Sequence, residues 1–363
     1  MIGEGSERIG LSGKGPSVVT HSREKTKPPA SRITMHQIAK LAGVSLGTVS
    51  HVINETASVR EPLRQRVMEA VEKLGYQPNQ LSRGLRLNRT NMIGMIIPDI
   101  TNPFFPGVVR GVEDVAYKSS YRLVLCNTDN DPAKEATYLS DLKSFLPAGL
   151  LIIPSVDSSL ASEQSGPPVV CVDRRPRGWK GDIVTVANED GGYKAARYLI
   201  EMGHRQIGVI SGPSHLTNAG DRLRGFMRAL AEANVPIGPE YIQEALFDRT
   251  SGYSSALRLL HLLPCPTAIF AANDLMAMGA LSAVRESRLA CPADVSIISF
   301  DGLDITELTD PALTAVYQPG YQLGYTAARL LLDRMNGLKD RPQEVVLKTE
   351  LRIRNSVARM NVS

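Results

Sequence analysis

The sequence predicts an all-α head of short helices followed by an α/β core of two doubly wound parallel-sheet lobes. From Thr34 to Asn54, the spacing of capping and apolar residues specifies two short helices joined by a tight turn. From Asn91 onward, apolar runs typical of buried strands alternate with helical patterns, which predicts βαβ units and parallel sheets. About 260 residues of this alternation are more than one doubly wound lobe needs, so we expect two lobes.

The first helix of the head is predicted to begin at Met35. Thr34 can cap this helix, and Gln37, three residues later, can reach back to the cap amide to complete a capping box. The helical spacing also predicts the buried face. That face comprises Ile38, Ala39 and Ala42.

A tight turn and a second helix follow. Gly43 permits a positive φ, and Ser45 can cap a helix that buries Val49 and Val52. The outward side chains are short, which would let the helix lie deep in a major groove. They are Leu46, Gly47, Ser50 and His51. This pattern predicts a helix-turn-helix that reads DNA; on spacing alone, the alternative is an ordinary helical hairpin within a core.

A third helix closes the head, and a short linker comes after it. Pro62 suits a first helical turn, apolar residues from Leu63 to Leu74 follow at helical spacing, and Gly75 can end the helix. We therefore assign residues 33–77 to the DNA-binding domain. Residues 78–90 form a predicted hinge helix that is too short to persist alone, so it is expected to fold only when a partner packs against it.

Charge is concentrated around the head. The whole chain has a net charge of +4, whereas residues 32–89 alone carry nine Lys or Arg against four Glu, a net of +5. Such a local basic field attracts phosphate without regard to sequence. Residues 1–32 carry six basic and three acidic residues without apolar periodicity, which predicts a disordered basic tail. This tail either adds non-specific attraction to DNA or is a passive leader.

Cysteine spacing and hydropathy bear on the compartment. The four cysteines lie far apart, with neither a CxxC pair nor a nearby His cluster at metal-binding spacing, so we expect reduced thiols and no metal. They are Cys126, Cys171, Cys265 and Cys291. The N-terminus has no apolar signal region, and no stretch approaches the roughly 18 apolar residues of a membrane helix. A cytoplasmic protein is expected.

The core, residues 91–363, is predicted element by element. Strands are expected near 92–97, 121–126, 150–153, 169–172, 206–211, 267–271 and 296–300. Helices are expected near 104–119, 132–145, 189–203, 219–233, 252–262 and 274–288. Ligands of such sheets bind at the carboxyl ends of the strands, so the predicted site lies in the cleft between the lobes.

Enzyme motifs do not occur in the sequence. It contains no P-loop, no HExxH, and neither a GxSxG elbow nor a GxGxxG at a strand-to-helix turn, since its one GxSxG string, GVSLG at 43–47, lies between two predicted helices; we therefore expect neither catalysis nor a cofactor. A solute-binding protein would share the predicted core but would need a signal peptide and no helical head. These two classes remain the alternatives to a DNA-binding regulator.

Several motifs in a fixed order resemble one protein family. They include IAKLAGVSLGTVSHVIN, PNQLSRGLR, IIPDITNPFF, VDRR, GHRQIGVISGP, PTAIFAANDLMAMGAL and SFDGLDITELTDPALTAVYQP. Between Thr34 and about Val357, the chain resembles the LacI/GalR family of bacterial transcription repressors. The resemblance implies a periplasmic-binding-protein-like core. It also implies a homodimer whose two heads bind the half-sites of a palindromic double-stranded DNA operator.

The resemblance assigns DNA contacts within the head. Ser45, Leu46, Gly47, Ser50 and His51 match reading positions, and Thr34 and Asn54 match backbone contacts. Because Gly47 has no side chain and Leu46 only an apolar one, base hydrogen bonds would fall on Ser50 and His51. His51 has the alternative of contacting phosphate.

Leu85 in the hinge matches the family's wedge residue. An apolar wedge inserted from the minor groove unstacks a base step and bends the duplex. Arg83 and Arg86 lie beside it and are expected to contact DNA. Packing of one hinge helix against the other is the alternative role for Leu85, and the two roles are compatible.

The family's effector positions are spread over the predicted cleft. They match Asp99, Asn102, Phe104, Phe105, Asp173, Asn218, Arg222, Phe247, Asn273 and Asp301. Aromatic faces and polar groups of this kind suit a polyol or a heterocycle. Simpler roles remain open for three of them: Asp301 as a cap of the next turn, Phe105 as a core residue, and Arg222 as an ion pair near Asp221.

The resemblance leaves the effector open. Many sugar-responsive relatives have an Arg two positions before Arg222, where this chain has Gly220, and the purine-responsive branch has an Arg where this chain has Leu216. IIPDITNPFF and GVEDVA resemble the catabolite-control branch, which responds to a phosphorylated protein. The expected effector is a sugar, a sugar phosphate or a nucleobase-like compound, with a protein partner as the alternative.

Lobe boundaries follow from three expected crossovers. Lobe 1 is predicted at about 91–173 and 319–346, and lobe 2 at about 174–318 and 347–363. The Met-rich stretch 275–284 suits either a partner surface or the interior of one lobe. No heptad run of the kind that builds tetramers follows Val357, so we prefer a dimer to a tetramer.

Overall fold

The computed structural model describes residues 33–54, 56–76, 90–155 and 166–360. The chain divides into two compact units, Met1–Asn79 and Gln80–Ser363. The predicted basic tail (1–32) and residues 78–89 of the predicted hinge, with Arg83, Leu85 and Arg86, lie outside the described residues.

The first unit contains the predicted head. Its helices are α1 (Met35–Ala42), α2 (Leu46–Asn54) and α3 (Glu61–Leu74). The predicted capping box forms, since the Thr34 amide donates to Gln37 Oε1 at 2.8 Å. Gly43 has a φ of 61°, a left-handed conformation that favours glycine. The helices share a small core of Ile38, Ala42, Val49, Val52, Val67 and Ala70.

The second unit contains two six-stranded sheets. The strands are β1 Met92–Ile97, β2 Arg122–Asn127, β3 Gly149–Ile152, β4 Val169–Val172, β5 Asp182–Val186, β6 Ile207–Ser211, β7 Ile242–Glu244, β8 Ala268–Ala271, β9 Ser296–Asp301, β10 Thr314–Tyr317, β11 Glu344–Leu347 and β12 Glu350–Arg352. The helices are α4 Phe104–Lys118, α5 Pro132–Ser144, α6 Asn188–Glu201, α7 Thr217–Glu232, α8 Arg249–Leu260, α9 Asp274–Glu286 and α10 Gly320–Met335.

Each sheet forms the centre of one lobe. The first sheet has the order β11-β5-β4-β3-β1-β2, and the described pairs are all parallel. The second has the order β12-β10-β9-β8-β6-β7, with β12 alone antiparallel among the described pairs. In both sheets, the inner strands and the helices packed on them present buried apolar side chains to each other. Each lobe therefore has its own hydrophobic core. The predicted fold class is confirmed.

The first crossover lies later than the sequence indicated. We predicted it near Asp173, but β5 pairs with β4 and β11 in the first sheet, so lobe 1 continues to Val186. The intervening residues, 173–181, form an irregular loop that returns the chain to the same sheet. The other two crossovers join β10 to α10 and β11 to β12, and only Lys348 and Thr349 separate the last two strands.

The sequence patterns missed six core elements: β5, β7, β10, β11, β12 and α10. β7 and β12 are strands of only three residues, and each lies at an edge of the second sheet. β7, β11 and β12 have no fully buried residue, so these three strands lack the apolar run by which a buried strand is recognised. α10 begins with GYQLGY, whose glycines are poor helix formers.

Close packing of α6 against α7 depends on two glycines. A Cβ on Gly192 would collide with the carbonyl oxygen of Arg222, and one on Gly225 would collide with that of Glu189. Only glycine lets the two backbones approach this closely. The contact sets the position of Arg222, whose side chain enters the cleft.

Candidate functional site

The outward face of α2 is exposed and carries small side chains. Leu46 is 41% exposed, and Ser45, Gly47 and His51 are also exposed, while Ser50 and Asn54 are half-buried. Thr34 is exposed beside the start of α1. These residues are the predicted DNA contacts within the described head. Their arrangement leaves the helix free to approach a groove closely.

Two contacts within the head restrict the polar groups of this face. Asn54 Nδ2 donates to the backbone oxygen of Ser50 at 2.8 Å, so its amide turns back onto its own helix. His51 Nδ1 lies 3.0 Å from the hydroxyl of Thr56. This hydrogen bond uses Nδ1 of the imidazole ring. Thr56 was not predicted from the sequence. It lies five residues after His51 and beyond the end of α2, and helical periodicity does not predict a contact at that separation.

The ten predicted effector residues come together in the second unit. Nine line a narrow inner chamber of about 20 Å³, and Asp99 lies in an adjoining outer chamber of about 440 Å³. Asn102, Phe105, Arg174 and Phe247 line both chambers, so the two chambers are neighbours in the cleft. The residues follow the carboxyl ends of strands from both sheets, which is where doubly wound folds bind ligands.

Arg222 is the most enclosed of these side chains. Its Nε donates to Asn188 Oδ1 at 2.8 Å and its Nη1 donates to the Ala272 oxygen at 2.7 Å. Its guanidinium lies 3.6 Å from Asp301 Oδ1 and 3.8 Å from the centre of the Phe300 ring. Burial lowers the pKa of Arg222, against the nearby carboxylates. The ion pair considered near Asp221 is wrong, since Asp221 pairs with Arg224 and Arg222 with Asp301.

Asp301 is buried and lines the inner chamber. Its Oδ1 accepts from Gln318 Nε2 at 2.5 Å, and burial raises its pKa to about 6. Its alternative role as a cap is wrong, because the amide of Leu303 donates to Asp274 Oδ2 instead, at 2.7 Å. Burial and the neighbouring Asp301 also raise the pKa of Asp274 well above its ordinary value. Arg222 is therefore the counter-charge of Asp301, whereas the cation that acts on Asp274 is Arg354.

Phe105 and Phe247 line the cleft from opposite lobes. Phe105 is buried and packs into the core of lobe 1, so it is a core residue that also presents part of its ring to both chambers. Phe247 has a φ of 64° and lies against Gly212, where a Cβ would collide with its ring. Two aromatic faces therefore border one space, an arrangement suited to a flat ring.

Two buried residues of the inner chamber were missed by sequence reasoning: Arg174 and Gln318. Arg174 Nη1 donates to the Pro154 oxygen at 3.0 Å, and its guanidinium lies 5.7 Å from the Phe105 ring centre. Among the described residues, three buried cleft atoms have no hydrogen-bond partner: Asp173 Oδ1, Arg174 Nε and Gln318 Oε1. Both stand in motifs that could have identified them, Arg174 in VDRR and Gln318 near the end of SFDGLDITELTDPALTAVYQP.

The described residues offer neither a metal-binding cluster nor a membrane-spanning helix. Within the described parts of the chain, no group of three or more His, Cys, Asp or Glu side chains is placed to hold a metal ion. In the same residues, no helix is both long and apolar enough to cross a membrane.

Known proteins resemble both units. Residues 34–79 match the family profile described as bacterial regulatory proteins, lacI family, and residues 196–357 match a periplasmic binding protein-like domain. The chain is 39% identical over 315 residues to the HTH-type transcriptional repressor PurR of Aliivibrio salmonicida (strain LFI1238), covering 86% of this chain and 94% of that protein.

Two solved structures are similar over most of the chain. One is the transcriptional regulator CelR in complex with cellobiose, with 32% identity and a TM-score of 0.69. The other is the lac repressor dimer bound to operator and the anti-inducer ONPF, with 25% identity and a TM-score of 0.80. Each comparison covers 90% of this chain and all of the other.

Proposed function

The chain belongs to the LacI family of DNA-binding transcriptional repressors, and we propose that it binds a palindromic operator as a homodimer under the control of a small molecule in its cleft. The observation that carries this proposal is the cleft itself. The ten side chains that match the family's effector positions come from both lobes and line two neighbouring chambers. The regulator is expected to act on chromosomal DNA in the cytoplasm.

Base reading by the head rests on few groups. Ser50 and His51 are proposed to form the hydrogen bonds to base edges, and Leu46 is proposed to contact a thymine methyl. Gly47 has no side chain, so it contributes only by letting the helix backbone come close to the bases. Ser45 is the remaining reading position, and Thr34 and Asn54 are proposed to contact the DNA backbone. Specificity must then draw on DNA deformation as well, for which Leu85, flanked by Arg83 and Arg86, is the proposed wedge.

Exposed edges and apolar side chains support the proposed dimer. β2 is an edge strand of the first sheet, and its residues are exposed or half-buried, so its outer backbone groups are open to a partner. In lobe 2, Leu308 is 85% exposed. Most of the Met-rich stretch 275–284 is lobe core, including Met276 and Leu281, while Met278 is only partly buried.

Control by the cleft is proposed to act through the angle between the lobes. A ligand that prefers one angle changes the spacing of the two hinge segments at the dimer axis, and that spacing decides whether the hinge helices can pair. Operator and effector binding are then reciprocally coupled, favourably for a corepressor and unfavourably for an inducer.

The test is an operator titration with added metabolites. Duplexes selected from a random pool with the full-length protein would be titrated in a gel-shift assay, with and without sugars, sugar phosphates and purines. A regulator that contacts six to ten phosphates should lose roughly 10³–10⁵ in affinity between 50 and 200 mM salt. A protein that selects no sequence, or one whose ligands leave DNA affinity unchanged, contradicts the proposal.

A further inference from the structure

The amino end of the first sheet carries an excess of positive charge. The described stretches that lead into β2, β3, β4, β5 and β11 contain six Lys or Arg against three acidic residues. These stretches are residues 118–122, 143–149, 166–168, 178–182 and 335–344. We call their six cations the basic end of lobe 1. They are Lys118, Arg122, Lys143, Lys180, Lys339 and Arg341.

Two of the three acidic residues at this end already have partners. Asp182 accepts two hydrogen bonds from Arg334, at 2.7 and 2.8 Å, and Glu344 Oε1 lies 2.6 Å from Arg175 Nη2. By contrast, four cations of the basic end are exposed and form neither an ion pair nor a side-chain hydrogen bond in the described part of the chain. These four are Lys118, Lys180, Lys339 and Arg341.

The basic end has the form of a row. Neighbouring strands of a sheet lie about 4.8 Å apart, so the six strands from β11 to β2 span roughly 24 Å. Lys339 and Arg341 precede β11 on one side of the sheet, and Lys118 precedes β2 on the other. A small anion would need cations that converge on one point. A row suits a linear polyanion such as duplex DNA, which carries one negative charge per about 1.7 Å of its axis.

The other ends of the lobes lack this excess. At the carboxyl end of the first sheet, the stretches after β1 to β4 and after β11 contain three Lys or Arg against four acidic residues. At the amino end of the second sheet, the stretches before β6 to β10 contain two against three. The stretches counted are residues 98–103, 128–131, 153–155, 173–175 and 348–349 for the first sheet and 202–206, 233–241, 261–267, 287–295 and 309–313 for the second.

The chain also enters lobe 1 from the head at the basic end, because Thr90 and Asn91 directly precede β1. The sequence between the head and this point, residues 77–89, carries three Arg and no acidic residue. Positive charge is therefore continuous along the sequence from the head into the lobe. This connection favours the DNA that the head binds as the polyanion.

From these observations we propose that the basic end of lobe 1 binds the phosphate backbone of the operator duplex, as a contact additional to those of the head and the hinge. The inference rests on the proposed function and extends it to the core. Contacts with phosphate carry no sequence information, so this surface would add affinity and salt dependence but not specificity.

A salt titration of full-length variants tests the contact. Lys180→Gln combined with Lys339→Gln removes four charges from a dimer. Each lost phosphate contact lowers the slope of log affinity against log salt by about 0.9, so the slope should fall by at least about two units. At fixed salt, affinity for the selected operator and for a random duplex should fall by the same factor, at least about tenfold.

The matched control removes the same charge from the other lobe. Arg288 and Arg359 are exposed, and both lie at the amino end of the second sheet, where the Met360 amide donates to the Met202 oxygen. Arg288→Gln combined with Arg359→Gln should leave the salt slope at its wild-type value. Equal slopes for the two double variants, with both folded by circular dichroism, overturn the inference.

Lysine acetylation read by mass spectrometry tests the same surface in the wild-type protein. With operator bound, Lys118, Lys180 and Lys339 should lose reactivity towards an acetylating reagent because phosphate covers them. Lys348 is exposed at the carboxyl end of the same sheet and is the internal control, whose reactivity should not change. Unchanged reactivity at all four lysines overturns the inference.

Failure of this inference differs from failure of the proposed function. A protein that selects an operator, but whose Lys180 and Lys339 variant matches the control, remains a regulator without this contact. A protein that selects no sequence loses the proposed function. The basic end is then judged by the salt slope on the random duplex, since contacts with phosphate do not depend on sequence.

Discussion

The outward face of α2 and the inter-lobe cleft are built from opposite kinds of side chain. The face of α2 has small, exposed groups with local contacts, such as His51 with Thr56. In the cleft, buried charged groups hold one another, with Arg222 bound to both Asn188 and the Ala272 oxygen. A substitution on α2 should therefore change DNA recognition without loss of fold, whereas one in the cleft should change both binding and stability.

The largest effect is expected from Arg222→Ala. The substitution leaves Asp301 buried without the cation that lies 3.6 Å from its Oδ1, which costs about 3–5 kcal/mol of unfolding free energy. Urea unfolding followed by circular dichroism measures this loss. Arg224→Ala, on the same helix but with a largely exposed side chain, is the control and should cost less than about 1 kcal/mol. Equal losses for both variants would remove the contrast between buried and exposed charge.

The pH dependence of stability sharpens the description of the cleft. The folded-state pKa of Asp301 is raised from 3.8 to about 6, so the folded protein binds this proton more tightly than the unfolded chain. Its stabilising contribution is full below pH 3.8 and is lost as pH rises through about 6. Asp274 shifts in the same direction.

Asp301→Asn should remove part of this pH dependence. Urea midpoints measured from pH 4 to pH 7 for wild type and Asp301→Asn give the difference directly. We expect the stability of wild type to fall relative to the variant across this interval. A difference that stays constant with pH contradicts a raised pKa.

Leu85→Ala tests DNA recognition outside the described residues. If Leu85 is the wedge, operator affinity should fall at least about tenfold, or roughly 1.4 kcal/mol, because the DNA bend is no longer supported. Analytical ultracentrifugation and effector titration should show dimerisation and ligand binding unchanged. An unchanged gel-shift titration removes the wedge.

The smallest change in stability is expected from Gly47→Ala. A Cβ at this position meets nothing closer than Ser45 Oγ at 3.7 Å, and alanine favours a helix by about 0.5–1 kcal/mol over glycine. Gly43→Ala is the matched control and should destabilise the head, because residue 43 has a φ of 61° and a Cβ there would collide with Arg66. Thermal unfolding distinguishes them; destabilisation by both would contradict an open α2 surface.

The head and the cleft also differ in how well the sequence predicted them, because contacts in the head are local and contacts in the cleft are long-range. The head was predicted closely, because caps such as Thr34 and turns such as Gly43 are local features. The ten cleft residues were found one by one through family positions, and they meet because the carboxyl ends of strands share one edge. Arg174 and Gln318 were not predicted. Each has a buried polar atom without a hydrogen-bond partner, and that state depends on neighbours that are far away in the sequence.

The link between β11 and β12 has a mechanical consequence. In this crossover only two residues, Lys348 and Thr349, lie between a strand of one sheet and a strand of the other. Two extended residues span at most about 7 Å. The Lys194 ammonium also binds the Thr349 oxygen at 2.8 Å, which anchors the link to α6. The short link holds the two sheets close together at this point, so a rotation of one lobe against the other would have its pivot near residue 349. Displacement then grows with distance from the pivot, as it does along a lever, and a small angular change at the cleft becomes a larger translation at the far end of each lobe.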